Sequence, residues 1–157
     1  MRSILLSFSP DWFEKLESGL LKYEYRYNFP DGDTTLVYFY VGRPVKAITG
    51  IALMGSREHL KLWKAKYQSR DPRVLSRIDE YLQDCRYAIP ILSFQKTNQI
   101  PLSQLNHELE NFVVPRMYYF IENTALQKYL ERNLKPIDAP YKPDLDKMTD
   151  DEICPNF

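Results

Sequence analysis

Gly19-Leu20-Leu21-Lys22-Tyr23-Glu24-Tyr25-Arg26 is the stretch on which the reading of this chain turns. Gly19 follows the apolar positions Trp12, Phe13 and Leu16. It is placed to end a helix, because glycine enters the left-handed conformation of a C-terminal cap without steric cost. The residues after it predict a strand over residues 21–29. A strand sends successive side chains to opposite faces. Lys22, Glu24 and Arg26 therefore share one face, and Tyr23, Tyr25 and Tyr27 the other. Three charges in a row on one strand face are either a solvated edge or the floor of a polar site.

Working outward, Ile4-Leu5-Leu6-Ser7-Phe8 reads as a buried strand over residues 3–9. Ser9-Pro10 then supplies an N-cap and a first-turn proline for the helix that Gly19 closes. Pro30-Asp31-Gly32-Asp33 is a turn, and residues 35–41 are strongly β-prone. Gly42-Arg43-Pro44 breaks that strand. A further strand follows over residues 45–53, in which Gly50 marks a bulge or a close backbone approach. Two helices are predicted next. The first is capped by Ser56 with Leu60, Trp63 and Tyr67 on its apolar face. The second is opened by Asp71-Pro72 and carries Val74, Leu75, Ile78 and Leu82. A strand over residues 86–94, a short helix over 101–109 and an aromatic extended segment over 113–121 come next. A last helix follows, capped by Asn123 or Thr124, with Leu126, Tyr129 and Leu130.

Short strands with single helices between them predict an α+β fold: a mixed β-barrel of about five to six strands with helices packed outside it. The expected organisation is one domain over residues 1–134 and a tail over 135–157. The tail is rich in proline and acid, irregular and loosely held. It is either a solubilising end or a segment that lies across a basic cleft.

The bulk numbers narrow the class. The 157 residues carry 21 basic and 21 acidic side chains, so the chain is not a uniformly basic nucleic-acid binder, although a local basic patch is allowed. No run is long and apolar enough to span a membrane. Pro10-Asp11 follows the first apolar run too soon for a secretory leader. Cys85 and Cys154 are not at a metal-ligand spacing, and His59 and His107 are far apart, so no metal or other cofactor is expected. Two free thiols point to the cytoplasm.

Several local patterns then line up in order. Leu5-Leu6-Ser7-Phe8-Ser9-Pro10 is followed by the helix and by Gly19, with Glu24 and Arg26 five and seven places further on. Arg43-Pro44-Val45-Lys46-Ala47-Ile48-Thr49-Gly50 follows the strand Val37-Tyr38-Phe39-Tyr40. Next come a helical insert with Trp63 and Tyr81, then Tyr87-Ala88-Ile89, Ile100-Pro101-Leu102, Leu105, Pro115 and the last helix. In this the chain resembles the ASCH family, a branch of the PUA-like β-barrel folds, over residues 2–134. The family pattern Gly-x-Lys-x-x-Glu-x-Arg is met by Gly19, Glu24 and Arg26. Leu21 stands at its lysine position, with Lys22 one place later. The resemblance implies a cleft beside this segment and a regulatory module that binds RNA or another nucleic acid. It also implies, as the alternative, a small hydrolase acting on a modified nucleoside or on RNA, in whose branch the motif lysine is catalytic.

With that expectation, Arg26 reads as a grip on phosphate or a base edge, its loss weakening binding while sparing stability. Glu24 holds Arg26, accepts from a base amino group or acts as a general base, and Lys22 joins them. If the protein is an enzyme, Glu24 and Lys22 are its only candidate catalytic groups. Arg57, Lys61 and Lys64, spaced as one helical stripe, either track a nucleic-acid backbone or line a solvated face. Tyr40 is the ring most expected to line the site, with Arg43 and Arg116 as companions. The expected partner is RNA, another nucleic acid or a nucleotide-like ligand. A protein partner held by exposed aromatics is the blander reading.

Overall fold

The computed structural model of the chain describes residues 1–157. In chain order the elements are β1 (Arg2–Phe8), α1 (Pro10–Glu17), β2 (Tyr23–Arg26), β3 (Thr35–Val41), β4 (Ala47–Met54), β5 (Glu58–His59), α2 (Trp63–Lys66), α3 (Pro72–Leu82), β6 (Tyr87–Gln95), β7 (Ile100–Pro101), α4 (Leu102–Glu108), β8 (Tyr118–Phe120) and α5 (Ala125–Asn133). Short 3-10 turns lie at Leu60–Leu62 and Asp150–Glu152.

The apolar runs at the centre explain the layering. β1 and β3 pair in parallel, with Ile4 opposite Val37 and Leu6 opposite Phe39. Ile4, Leu6, Phe8, Val37, Phe39 and Val41 fill one cluster, and Leu5, Tyr38 and Tyr40 fill another on the opposite face. Both faces of this pair are buried, which is why these strands read as continuous apolar runs rather than as alternation. α1 and α3 cover the larger cluster through Phe13, Leu16, Val74 and Ile78. α4 and α5 cover the smaller through Leu105, Tyr129 and Leu130.

The strands form one mixed sheet in the order β2-β6-β4-β3-β1-β8, with β5 added to β6 and β7 to β4. The main path thus holds six strands. The sheet curls into a half-barrel, the PUA-like α+β arrangement expected. Side chains span the gap between its ends: Arg26 at the end of β2 donates from Nη2 to the Ser7 carbonyl of β1 at 2.7 Å. The rings of Phe29 and Tyr118 lie 6.3 Å apart.

Local signals worked where they were chemical. The Ser9 side chain accepts from the Trp12 N–H at 3.3 Å, and Gly19 has φ +78° just beyond α1. Gly50 has φ +83° and a Cβ there would sit 2.9 Å from Phe13 Cζ, and the β3–β4 register shifts beside it, from Tyr38 opposite Ile51 to Tyr40 opposite Ile48, so both the bulge and the close approach are present. Thr124 caps α5 by accepting from the Gln127 N–H.

Three expectations need correction. No helix starts at Ser56: Glu58 and His59 pair with β6, and only the turn at Leu60–Leu62 and the single turn of α2 follow. Arg57, Lys61 and Lys64 therefore do not form one helical stripe. Trp63 and Tyr67 are buried as predicted, but by a tight turn that drops Trp63 onto Tyr23 and Tyr25, with Tyr67 packed against Trp63. The second strand is shorter than predicted, because Leu21 and Phe29 turn into the core on either side of β2. Residues 135–157 are indeed mostly irregular, but they are not loose. Met148, Ile153 and Cys154 enter the main core. Burying an Ile or Met side chain contributes about 1.5–3 kcal/mol, enough to hold the segment against the body.

Candidate functional site

β2 places Glu24 and Arg26 on one face. Arg26 Nε donates to Glu24 Oε1 at 3.2 Å, and Oε2 receives no side-chain donor. Glu24 is only 8% exposed. Burial outweighs the attraction of Arg26 and pushes its carboxyl up to about 7. Arg26 is fully engaged: besides Glu24 it bonds Ser7 and lies 5.6 Å from the Phe8 ring centroid. It is therefore placed to brace the half-barrel as well as to partner Glu24, and on these contacts its loss is expected to cost stability.

Glu24 opens on a cavity of about 460 Å³, the size of a small-ligand site. Leu21, at the position where the resemblance would place lysine, forms part of its wall with Tyr25, Tyr81 and Cys85. Burial pushes the Cys85 thiol up to about 11, so it is not an activated nucleophile. Glu80 and Asp84, from the end of α3 and the turn after it, stand at the exposed rim. No lysine or arginine lines the cavity.

The last residues complete the enclosure. Pro155, Asn156 and Phe157 form one wall. They are held there by Arg77, whose guanidinium donates to the carbonyls of Asp150, Ile153 and Cys154. Tyr25 Oη accepts from the Cys154 N–H at 3.1 Å, and Tyr81 Oη donates to the Pro155 carbonyl. The Phe157 ring packs edge-on against Trp12 at 5.5 Å.

The other predicted residues are dispersed. Lys22 does not reach the cavity. Its Nζ pairs with Glu152 at 2.7 Å and donates to the carbonyls of Asp144 and Lys147, so it is a tail anchor. Tyr40 is buried in the smaller cluster and is not a cavity ring. Arg43 lies exposed in the turn after β3, and Arg116 lies exposed before β8. Lys64 pairs with Asp79 at 2.7 Å in solvent, while Lys61 is exposed without an ion pair. The rest of the basic run is spent on structure: Arg57 bonds the Phe29 carbonyl and Arg70 bonds Asp150.

Sequence reasoning missed Trp12, Tyr81 and Phe157 as cavity rings. For Trp12 a signal existed: Phe13 and Leu16 suffice for the core face of α1, which leaves Trp12 at its margin. Nothing local to Phe157 reveals where the tail brings it.

A curled mixed sheet with this helix placement defines the class: the chain has the fold of the ASCH proteins. The solved structures it resembles include the ASCH protein from Zymomonas mobilis, with a TM-score of 0.64 at 19% identity over 85% of this chain and 96% of that one. A Tyr-to-Phe mutant of that protein also gives 0.64 at 19% identity, covering 86% of this chain and 100% of that one. A Ser-to-Ala mutant gives 0.62 at 19% identity. No protein-family model and no curated protein sequence matches the chain. No helix is long and apolar enough to cross a membrane.

Proposed function

We propose that the protein is a nucleic-acid-binding module, with RNA as its expected target, whose cavity takes a single unpaired base. Glu24 carries this reading. It is a buried carboxyl with one oxygen held by Arg26 and the other free of side-chain donors, set among aromatic rings. That pairing suits a flat heterocycle, which stacks on rings and offers an amino group to the carboxylate. The charged residues are rearranged relative to the sequence expectation. Arg26 positions the carboxyl instead of gripping phosphate, and the cavity itself has no cation for a phosphate to meet. Phosphates of a bound strand remain outside the rim, where Lys15 Nζ lies 5.0 Å from the Phe157 ring.

Titration with single-stranded RNA of mixed sequence, followed by fluorescence anisotropy, tests this. Glu24→Gln, which keeps shape and removes the acceptor charge, should weaken binding about tenfold, the worth of one charged hydrogen bond. Undiminished affinity in that variant would refute the base-pocket reading.

Hydrolysis of a modified nucleoside or of RNA is the second reading, favoured by one observation: a carboxyl held up to about 7 is poised as a general base at neutral pH. Lys22 lends no support, since it is engaged by the tail. Chromatographic detection of product from N-acylated nucleosides, abolished by Glu24→Gln, would establish it.

A further inference from the structure

The side chains that line the cavity are one-sided in charge, and the nearest cation on its aromatic wall is Lys15, whose Nζ lies outside the lining 5.0 Å from the Phe157 ring. Its aromatic walls come from Trp12 and Phe157 near the opening and from Tyr25 and Tyr81 deeper in. The tyrosine hydroxyls are both spent on tail backbone groups, so the two phenol rings contribute mainly their faces and edges. Three carboxyl groups complete the lining: Glu24 at the floor, Glu80 and Asp84 at the rim. Neither rim carboxylate is in an ion pair. Arg26 touches Glu24 from behind and does not line the space.

Aromatic faces carry negative electrostatic potential and attract cations, most strongly where water is excluded. Carboxylates beside such rings add to the attraction, and phosphate is repelled by the same groups. Resting on the base-pocket reading above, we propose that this cavity selects a positively charged ring, namely a nucleobase whose ring nitrogen has been alkylated so that the base carries a formal positive charge. On binding, the Trp12 and Phe157 rings part from their edge-on contact to take the charged ring between them, displacing Lys15 Nζ from its place 5.0 Å from the Phe157 ring, and the amino edge of the base meets Glu24. Glu80 and Asp84 provide the field that draws it in. The segment that brings Phe157 to the site is clamped by Arg77 as far as Cys154 and by Tyr81 at the Pro155 carbonyl, while Phe157 itself, two residues on, is 55% exposed. The ring can therefore move aside to admit the ligand and close on it.

Isothermal titration of the full chain with paired nucleosides tests the proposal: 7-methylguanosine against guanosine, and 1-methyladenosine against adenosine. Benzyltrimethylammonium serves as a charged probe with no base. The charged nucleosides should bind at least tenfold more tightly than their neutral parents. The double substitution Glu80→Gln with Asp84→Asn should reduce that preference severalfold, lowering affinity for 7-methylguanosine more than for guanosine. Phe157→Ala should weaken 7-methylguanosine, and Phe157→Tyr should restore it. Equal affinity for charged and neutral nucleosides would overturn the charge selection while leaving the base-pocket reading standing. Binding of benzyltrimethylammonium with no binding of any nucleoside would retain the charge selection and overturn the nucleobase. Absence of binding by all five compounds would overturn both.

Discussion

Glu24 and Lys64 both come from stretches dense in charge, yet their surroundings differ completely. Glu24 is buried at the floor of a cavity, where a single guanidinium reaches one of its oxygens. Lys64 stands in solvent against Asp79, in a run whose other cations mostly hold carbonyls, carboxylates and rings in place. In the sequence the basic run looks the stronger feature, with seven cations between Arg57 and Arg77. In the fold, charge becomes chemically useful where desolvation is left incompletely compensated, and that occurs on β2. The energetic rule is the same in both places. An exposed ion pair contributes about 0–1 kcal/mol, whereas a buried charge shifts its own pKa or demands a partner.

The largest test of this contrast is Arg26→Ala. It leaves Glu24 buried without its cation and removes the bond that ties β2 to Ser7 across the open side of the half-barrel. Removing one partner of a largely buried pair costs on the order of 3–5 kcal/mol. Chemical denaturation should show a loss of that order. A loss below about 1 kcal/mol, the range of exposed pairs, would mean that the β2 charges behave like those of the basic run.

The same contrast explains what was legible in the sequence. The centre of the fold was readable because its signals are local. Ser9-Pro10, Gly19, Gly50 and the apolar strands 4–8 and 35–41 each act through backbone conformation or short-range burial, and each is found where expected. Glu24 and Arg26 were legible as a pair because strand alternation alone puts them on one face. Lys22 was misplaced by the same rule. The strand begins at Tyr23, and the side chain before it is taken by Glu152, more than a hundred residues away. Contacts of that separation depend on where an irregular segment runs. Nothing periodic in residues 135–157 says that Ile153 and Cys154 are core or that Phe157 walls a cavity. Arg57 to Lys64 failed for another reason: the apolar spacing of Leu60, Trp63 and Tyr67 fits a helix as well as it fits a strand end, a 3-10 turn and one α turn in succession.

Next in size is the pH dependence that Glu24 confers. Its carboxyl lies at about 7 in the folded protein, against 4.5 as the ordinary value. The folded state thus keeps a proton that the unfolded chain has released. Stability from this group is greatest below 4.5, declines as pH rises through the interval from 4.5 to 7, and is level above it. The total decline is on the order of 3 kcal/mol. The Cys85 thiol, pushed up to about 11, stays protonated across that interval and does not mask the slope. Glu24→Gln should remove this component of the stability–pH profile. A variant whose profile matches the wild type over the interval would place the slope elsewhere and leave the buried Glu24 carboxyl without the shift that burial should impose.

The smallest expected effect belongs to Lys61→Ala with Lys64→Ala. Lys64 and its partner Asp79 are each about half exposed, and Lys61 is in no ion pair. The stability change should stay within about 0.5 kcal/mol. The informative measurement is the dependence of single-stranded RNA affinity on salt. If both lysines neutralise phosphates of the bound strand, the log–log slope should fall by about 1.4, near 0.7 for each phosphate no longer neutralised. With the helical stripe dissolved into a turn and Lys64 committed to Asp79, the slope should change by less than half of that. A full decrease would show that the basic run tracks the backbone of the strand whose base enters the Glu24 cavity. The two charged regions would then be two ends of one binding surface, the first contributing affinity that is blind to sequence and the second the choice of base.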